Sequence, residues 1–180
     1  MESSRQLFSA GDIDAGVKEI AQKIAARFAG KNADFALVGI QQMGVVLAEK
    51  IFDEMKNLGY SPDFGKLDIT MYRDDFGKRD ILPMINETAI PFDVNDKEII
   101  LVDDVLSSGR TIRAALDALT DFGRPGFIRL AVLVDRGEPE FPIRADYVGF
   151  KVTLPAERKV KVHFVESSGF QPGIYDVKWQ

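Results

Sequence analysis

Two adjacent aspartates, Asp103 and Asp104, are followed at once by a small hydroxyl-rich turn, Ser107, Ser108, Gly109, Arg110 and Thr111. This is the stretch whose residue types and spacing speak most directly of chemistry. Backbone N–H groups at a helix start, a glycine that permits close approach and three hydroxyls together make an anion cradle. The neighbouring carboxylates would repel a phosphate, so they call for hydroxyl donors or a metal instead. A ligand with vicinal hydroxyls beside a terminal phosphate meets both demands, and a ribose 5-phosphate is such a ligand. The lysine of a Walker loop is missing after the glycine, and no G-x-G-x-x-G is present.

The elements around this motif must hold it in place. Ile99 to Val102 is a run of four apolar residues bounded by Lys97-Glu98, which suits a strand buried on both faces and ending in the acid pair. Ligands of open α/β sheets bind outside the carboxyl ends of such strands. A helix over about Thr111 to Phe122 is predicted next, stopped by Gly123-Arg124-Pro125-Gly126, and then a strand over Phe127 to Val134. Upstream, Asp12 is expected to cap a helix with Ile13, Val17, Ile20, Ile24 and Phe28 inward. Phe35 to Ile40 reads as a buried strand, followed by the tight turn Gln41-Gln42-Met43-Gly44 and a helix to about Leu58. Alternation predicts a third strand at Lys66 to Tyr72, after a turn at Tyr60 to Asp63.

From Arg73 to about Asp96 regularity fails around Pro83 and Pro91, with one short extended piece at Met84 to Ile90. A lid or hairpin is expected there. Strands near Asp146 to Val152, Lys159 to Val165 and Ile174 to Trp179 close the chain. Strands alternating with helices, then strands alone, predict one α/β domain over residues 1–180: a central, mostly parallel sheet flanked by helices, with a small antiparallel hood over residues 138–180.

Composition narrows the possibilities. The chain has no cysteine, which removes disulfides, thiol nucleophiles and cysteine metal sites. Its net charge of −5 counts against nucleic-acid binding as the main activity. The start, MESSRQLFSAGD, lacks the apolar segment of a signal peptide, and no apolar run reaches membrane-spanning length, so a cytoplasmic location is expected. The single histidine, His163, falls among alternating apolar residues and is read as a strand residue.

The thirteen residues from Ile99 to Thr111 resemble the phosphoribosyl-diphosphate (PRPP) signature of type I phosphoribosyltransferases. Four runs, LDITMYRDD (67–75), ILVDDVL (100–106), RAALDAL (113–119) and RLAVLVDRG (129–137) followed by PIRADYVG (142–149), resemble the PyrR family of bifunctional pyrimidine-operon regulators with uracil phosphoribosyltransferase activity. This resemblance implies the type I phosphoribosyltransferase fold and the conversion of uracil and PRPP to UMP and diphosphate. It places Asp103 and Asp104 on the ribose hydroxyls and Ser107, Ser108, Gly109, Arg110 and Thr111 on the 5-phosphate. Magnesium would be held through PRPP oxygens and waters rather than directly by the protein.

Gln41, Gln42, Met43 and Gly44 form the diphosphate loop, where the family usually carries Lys-Thr-Arg before the glycine. Arg73 is a candidate for contacting diphosphate or closing the site, or else pairs with Asp74 or Asp75. Tyr147 would stack on the base with the Val148 backbone reading its edge, or is an ordinary core tyrosine. Asp135 stands where purine enzymes of this fold carry a lysine that donates to the 6-oxygen, and a carboxylate cannot donate there. Ser107 likewise replaces their loop acid. A hypoxanthine-guanine-type transferase is therefore the alternative enzyme. An RNA-binding regulator that senses UMP or PRPP with little turnover is the alternative regulator, opposed by Glu19 beside Lys18 and Gln22 and by Glu138-Pro139. A homodimer or higher homo-oligomer is expected, with apolar surface on the second helix.

Overall fold

The computed structural model describes residues 4–30, 34–74, 86–137, 139–167 and 169–178. The elements run β1 (Arg5–Ser9), α1 (Ala10–Phe28), β2 (Phe35–Ile40), α2 (Met43–Asn57), β3 (Asp63–Leu67), β4 (Glu98–Leu106), α3 (Arg110–Thr120), β5 (Phe127–Asp135), β6 (Tyr147–Lys151), β7 (Arg158–His163) and β8 (Gly173–Lys178), with a 3-10 turn at Thr70–Tyr72. The central sheet has the order β3-β2-β4-β5-β6, and every pairing in it is parallel. A second, antiparallel sheet has the order β1-β8-β7.

Both faces of the central sheet are covered, which is why β2 reads as an unbroken apolar run. Ile100 and Val102 of β4 point with Leu37 and Leu133 toward Ile20 and Ile24 of α1 and Leu47, Ile51 and Met55 of α2. Ile99 and Leu101 point the other way, with Val38 and Val132, onto Ile112, Ala115 and Leu119 of α3. Each fully buried leucine or isoleucine contributes roughly 1.5–3 kcal/mol. The strand that carries the acid pair is thereby anchored on both sides before any ligand arrives.

Several expectations are corrected. Asp12 is not the cap of α1. Ser9 is, and Asp12 reciprocates three residues on, in a capping box in which the Ser9 N–H donates to Asp12 Oδ2 at 2.8 Å and the Asp12 N–H to Ser9 Oγ at 3.3 Å. The third strand covers Asp63–Leu67 rather than Lys66 to Tyr72. Its ladder with β2 ends at Ile40↔Leu67, and the Asp68 carboxylate then takes the Thr70 N–H, turning the backbone into a 3-10 turn. The central strand does not stop at the acids. Its pairing with β2 ends at Gly39↔Val102, whereas its pairing with β5 continues through Asp103↔Val132 and Val105↔Val134 to Leu106↔Asp135. The acid pair thus stands on a ledge, hydrogen-bonded on one flank and open on the other.

Strand β6 joins the parallel sheet, so the antiparallel sheet takes its third strand from the N-terminal residues Arg5–Ser9, which no alternation in the sequence marks. Helix α3 ends at Thr120, short of Phe122. Residues 75–85 of the expected lid lie outside the described residues, as do Glu138 and Trp179.

Candidate active site

The acid pair, the start of α3, the β2–α2 turn and the chain after β3 converge on one cavity of about 310 Å³. Asp103, Asp104, Val105 and Thr111 line it from the β4–α3 unit, and Gln41, Gln42 and Met43 from the turn. Asp68, Ile69, Thr70, Arg73 and Asn86 form the remaining wall. A second space of about 270 Å³, lined by Arg73, Asp74, Arg110 and Thr111, shares Arg73 and Thr111 with it.

Glycines make this convergence possible. A Cβ on Gly39 would come within 2.6 Å of Val45 Cα, and one on Gly44 within 2.5 Å of the Val102 carbonyl oxygen and 3.2 Å of Asp103 Oδ1. The start of α2 therefore rests directly on the strand beside the acid pair. Gly109, the N-cap of α3, has φ 87° and ψ 0°, a left-handed conformation that glycine adopts without cost. The loop below it is fixed by the Glu140 N–H, which donates to the Ser108 carbonyl at 2.8 Å. Ser107 and Ser108 are half-buried, Gly109 is buried, and the Gln41–Gln42 peptide is cis.

Burial pushes the Asp103 carboxyl well above the usual carboxylate range, and the adjacent Asp104 charge pushes it further. Burial raises Asp104 as well. Asp103 Oδ1 accepts the Asp104 N–H at 3.0 Å. Two half-desolvated carboxylates of this kind favour a ligand that brings hydroxyl donors, as a vicinal diol does. Among the described residues no group of three or more metal-ligating side chains comes together.

Arg110 is exposed. Its Nη2 donates to Glu140 at 2.7 Å and its Nη1 to Asp74 at 2.6 Å, and its guanidinium lies 5.6 Å from the Phe141 ring centre. These contacts fasten the chain around Asp74 to the start of α3.

The structure thus brings together Asp103, Asp104, Thr111, Gln41, Gln42, Met43 and Arg73. It does not bring Tyr147, Val148 or Asp135 to that cavity. Tyr147 is 7% exposed and packs among the core residues between the sheet and α1, and the Val148 carbonyl accepts from Lys23 Nζ at 3.3 Å. Their register explains this: Tyr147 pairs with Ala131, whereas Asp135, at the end of β5, pairs with Lys151. Asp135 accepts the Gly137 N–H at 2.8 Å. His163 lies in the antiparallel sheet, stacked at 4.7 Å on Phe170, where burial lowers its pKa and Lys161 adds to the effect.

Asp68, Thr70 and Asn86 were not singled out by sequence. An acid followed two residues later by threonine is a signal for a local turn that could have marked Asp68. Nothing local marks Asn86, which reaches the wall only through tertiary pairing.

Comparisons with known proteins agree with this geometry. The chain matches the phosphoribosyl transferase domain model over residues 3–166. It is 47% identical over 175 residues to the bifunctional protein PyrR of Roseiflexus sp. (strain RS-1), covering 97% of this chain and 95% of that protein. To the bifunctional protein PyrR of Deinococcus radiodurans it is 46% identical over 164 residues, covering 91% and 89%. Among solved structures it is similar to the hypoxanthine phosphoribosyltransferase of Trypanosoma cruzi, with TM-score 0.74 and 17% identity over 98% of this chain and 97% of that one. A hypoxanthine-guanine phosphoribosyltransferase from Bacillus anthracis gives TM-score 0.70 and 20% identity, covering 96% of each chain. At such low identity these last two likenesses speak for the fold alone.

Proposed function

The chain belongs to the phosphoribosyltransferase family and, within it, to the PyrR proteins, and on that premise we propose that it makes UMP and diphosphate from uracil and PRPP. The observation that carries this reading is the cavity in which the raised acid pair Asp103–Asp104 faces Thr111 at the start of α3 and the β2–α2 turn. The acid pair receives the ribose hydroxyls, and the backbone N–H groups and hydroxyls of Ser107 to Thr111 receive the 5-phosphate. Binding in this way fixes C1 between the base and the leaving diphosphate, so positioning supplies most of the rate and no protein nucleophile is needed. Magnesium, when bound through PRPP, supplies positive charge to the departing diphosphate. Arg73, Gln41, Gln42 and Met43, which line the cavity, are assigned to that leaving group on the protein side. Uracil is proposed as the base on the likeness to the PyrR proteins; Asp135 accepts the Gly137 N–H and offers no donor for a purine 6-oxygen, though it lies outside this cavity.

The regulatory activity implied by the resemblance is the second part of the reading. On α1, Glu19 pairs with Lys23 at 2.6 Å on an exposed face, which leaves this surface a mixed rather than a basic one. RNA affinity is accordingly expected to be modest and, with few phosphates neutralised, to fall only gently with salt. Self-association through α2, whose C-cap Leu58 is 42% exposed, is the proposed oligomer contact, checked by sedimentation.

The test is UMP formation from uracil, beside hypoxanthine and guanine, with PRPP and magnesium, run with PRPP calorimetry. Asp104→Asn and Gly109→Val are expected to abolish PRPP binding while the fold survives. For Gly109 the cause is a β-branched residue placed at φ 87°. Retained affinity in both variants overturns the assignment, and product from a purine but not from uracil overturns the base.

A further inference from the structure

A third carboxylate lines the cavity, and neither the ribose nor the phosphate chemistry uses it. Asp68 is 8% exposed, and both of its oxygens are occupied by backbone N–H groups: Oδ1 by Thr70 at 2.6 Å and Oδ2 by Asn86. Its own N–H donates to Thr88 Oγ1 at 2.9 Å. Two residues before Asp68, Lys66 and Ala89 exchange two backbone hydrogen bonds of 2.8 Å each. The chain leaving β3 and the chain returning at residues 86–89 are thus zipped together, with Asp68 as the buried clasp.

Gln41 extends the same assembly to the turn before α2. Its N–H donates to the Leu67 carbonyl at 3.0 Å, and its side-chain Nε2 donates to the Glu87 carbonyl at 3.2 Å. One residue of the turn therefore holds both chains of the wall. The side-chain amide of Gln41 is engaged in this contact, while Gln41, Gln42 and Met43 all line the ligand space. At its far end the wall is tied down by Tyr72, whose hydroxyl donates to the Asp121 carboxylate just past α3.

Resting on the PRPP reading above, we propose that Asp68 and Gln41 are positioning residues that make residues 66–73, 86–89 and the turn Gln41 to Gly44 a single rigid wall on the diphosphate side of the cleft. Asp68 acts through the N–H groups it accepts and not by touching the reacting atoms. Burial pushes its carboxyl up, but the bonds from Thr70 and Asn86 outweigh this and hold it below the ordinary range, so it remains an acceptor. The wall sets where Arg73 and the turn meet diphosphate. Asp68 and Gln41 themselves bond to Thr70, Asn86, Thr88, Leu67 and Glu87, and not to the acid pair or to the cradle of α3.

That separation gives the test. Asparagine at position 68 keeps the size but offers one acceptor and one NH₂, so either Thr70 or Asn86 is left with its N–H facing a donor. Asp68→Asn is expected to weaken PRPP binding about tenfold and Gln41→Ala about threefold. The double variant is expected to be weaker by less than the product of the two, because both act through one wall. UMP, which carries ribose and 5-phosphate but no diphosphate, should bind each variant within twofold of wild type, an outcome that general destabilisation would not produce. Additive losses, or equal losses for PRPP and UMP, overturn the proposal.

Amide exchange on the unliganded protein supplies a readout independent of the substrate. Asp68→Asn should speed exchange at Thr70 and Asn86, and Gln41→Ala at Ala89. Unchanged exchange overturns the wall whatever the ligand. Should the wild-type protein bind no PRPP, the proposed function fails, and the wall stands or falls on exchange alone.

Discussion

Gly44→Ala is the smallest substitution that should disable this protein, and its effect can be worked from the packing of α2 against β4. An added Cβ would lie 2.5 Å from the Val102 carbonyl oxygen, 3.1 Å from Asp103 Cα and 3.2 Å from Asp103 Oδ1. Two of these three neighbours are backbone atoms of a strand hydrogen-bonded to β5, so they cannot rotate aside. Restoring ordinary van der Waals contact requires the start of α2 to move outward by roughly 1 Å. Overpacking of this kind costs about 1–3 kcal/mol. At about 2–4 °C per kcal/mol for a domain of this size, the melting temperature should fall by several degrees. The functional loss should be larger than the stability loss, because the same displacement carries Gln41, Gln42 and Met43 away from the acid pair. A misplacement of about 1 Å can cost on the order of 100-fold in rate. Thermal melts, PRPP calorimetry and UMP formation measured on one preparation check this. A variant with wild-type melting temperature and wild-type PRPP affinity would refute the reasoning that close packing at Gly44 sets the geometry of the site.

Two other predictions concern charge. Asp103→Asn keeps an acceptor for the Asp104 N–H but removes a carboxyl whose folded pKa lies above its unfolded value. For such a group stability is lost as pH rises through the interval between the two values, so the variant should melt about 2–4 °C above wild type near neutral pH, the shift made by ~1 kcal/mol, while losing PRPP binding. This advantage should shrink on acidification, and a variant less stable than wild type at neutral pH would count against the raised pair. Glu98→Gln is expected to act with the opposite sign. Glu98, its side chain 13% exposed, accepts from Arg27 at 2.5 and 3.2 Å and from Arg129 at 3.3 Å; burial pushes its carboxyl up, but the two guanidiniums outweigh that and hold it low. Its contribution is present above the unfolded pKa and lost as pH falls through the folded one. The variant should therefore lose about 1–2 kcal/mol at neutral pH by urea denaturation, with the gap closing in acid.

The acid pair and the turn of the candidate site were legible in the sequence because they are contiguous residues. Asp103 and Asp104, the hydroxyls that follow them and the glycine before α3 lie within one strand–turn–helix unit, where local order alone brings the groups together. The helices were legible because the 3.6-residue period of their apolar positions survives in any context, and β2, β4 and β5 because a strand buried on both faces must be apolar throughout. What sequence could not supply is which edge of the sheet a residue reaches. Tyr147 and Asp135 both belong to runs that resemble family motifs, yet parallel register sets Tyr147 level with Ala131, inside the core, and carries only Asp135 to the carboxyl edge. Strand β1 is likewise invisible locally, since Arg5–Ser9 becomes a strand only when β8 arrives beside it.

By itself, then, the sequence determined the α/β class and the adjacency of the acid pair to the hydroxyl-rich turn Ser107 to Thr111, since covalent neighbours need no fold to be adjacent. Only the tertiary structure decided that the acids stand on a ledge open toward β2, that Gly44 lets α2 rest against them, and that Asp68, Asn86 and Gln41 form one wall. Those are contacts between segments distant in the chain, fixed by hydrogen bonds and packing that no local pattern encodes.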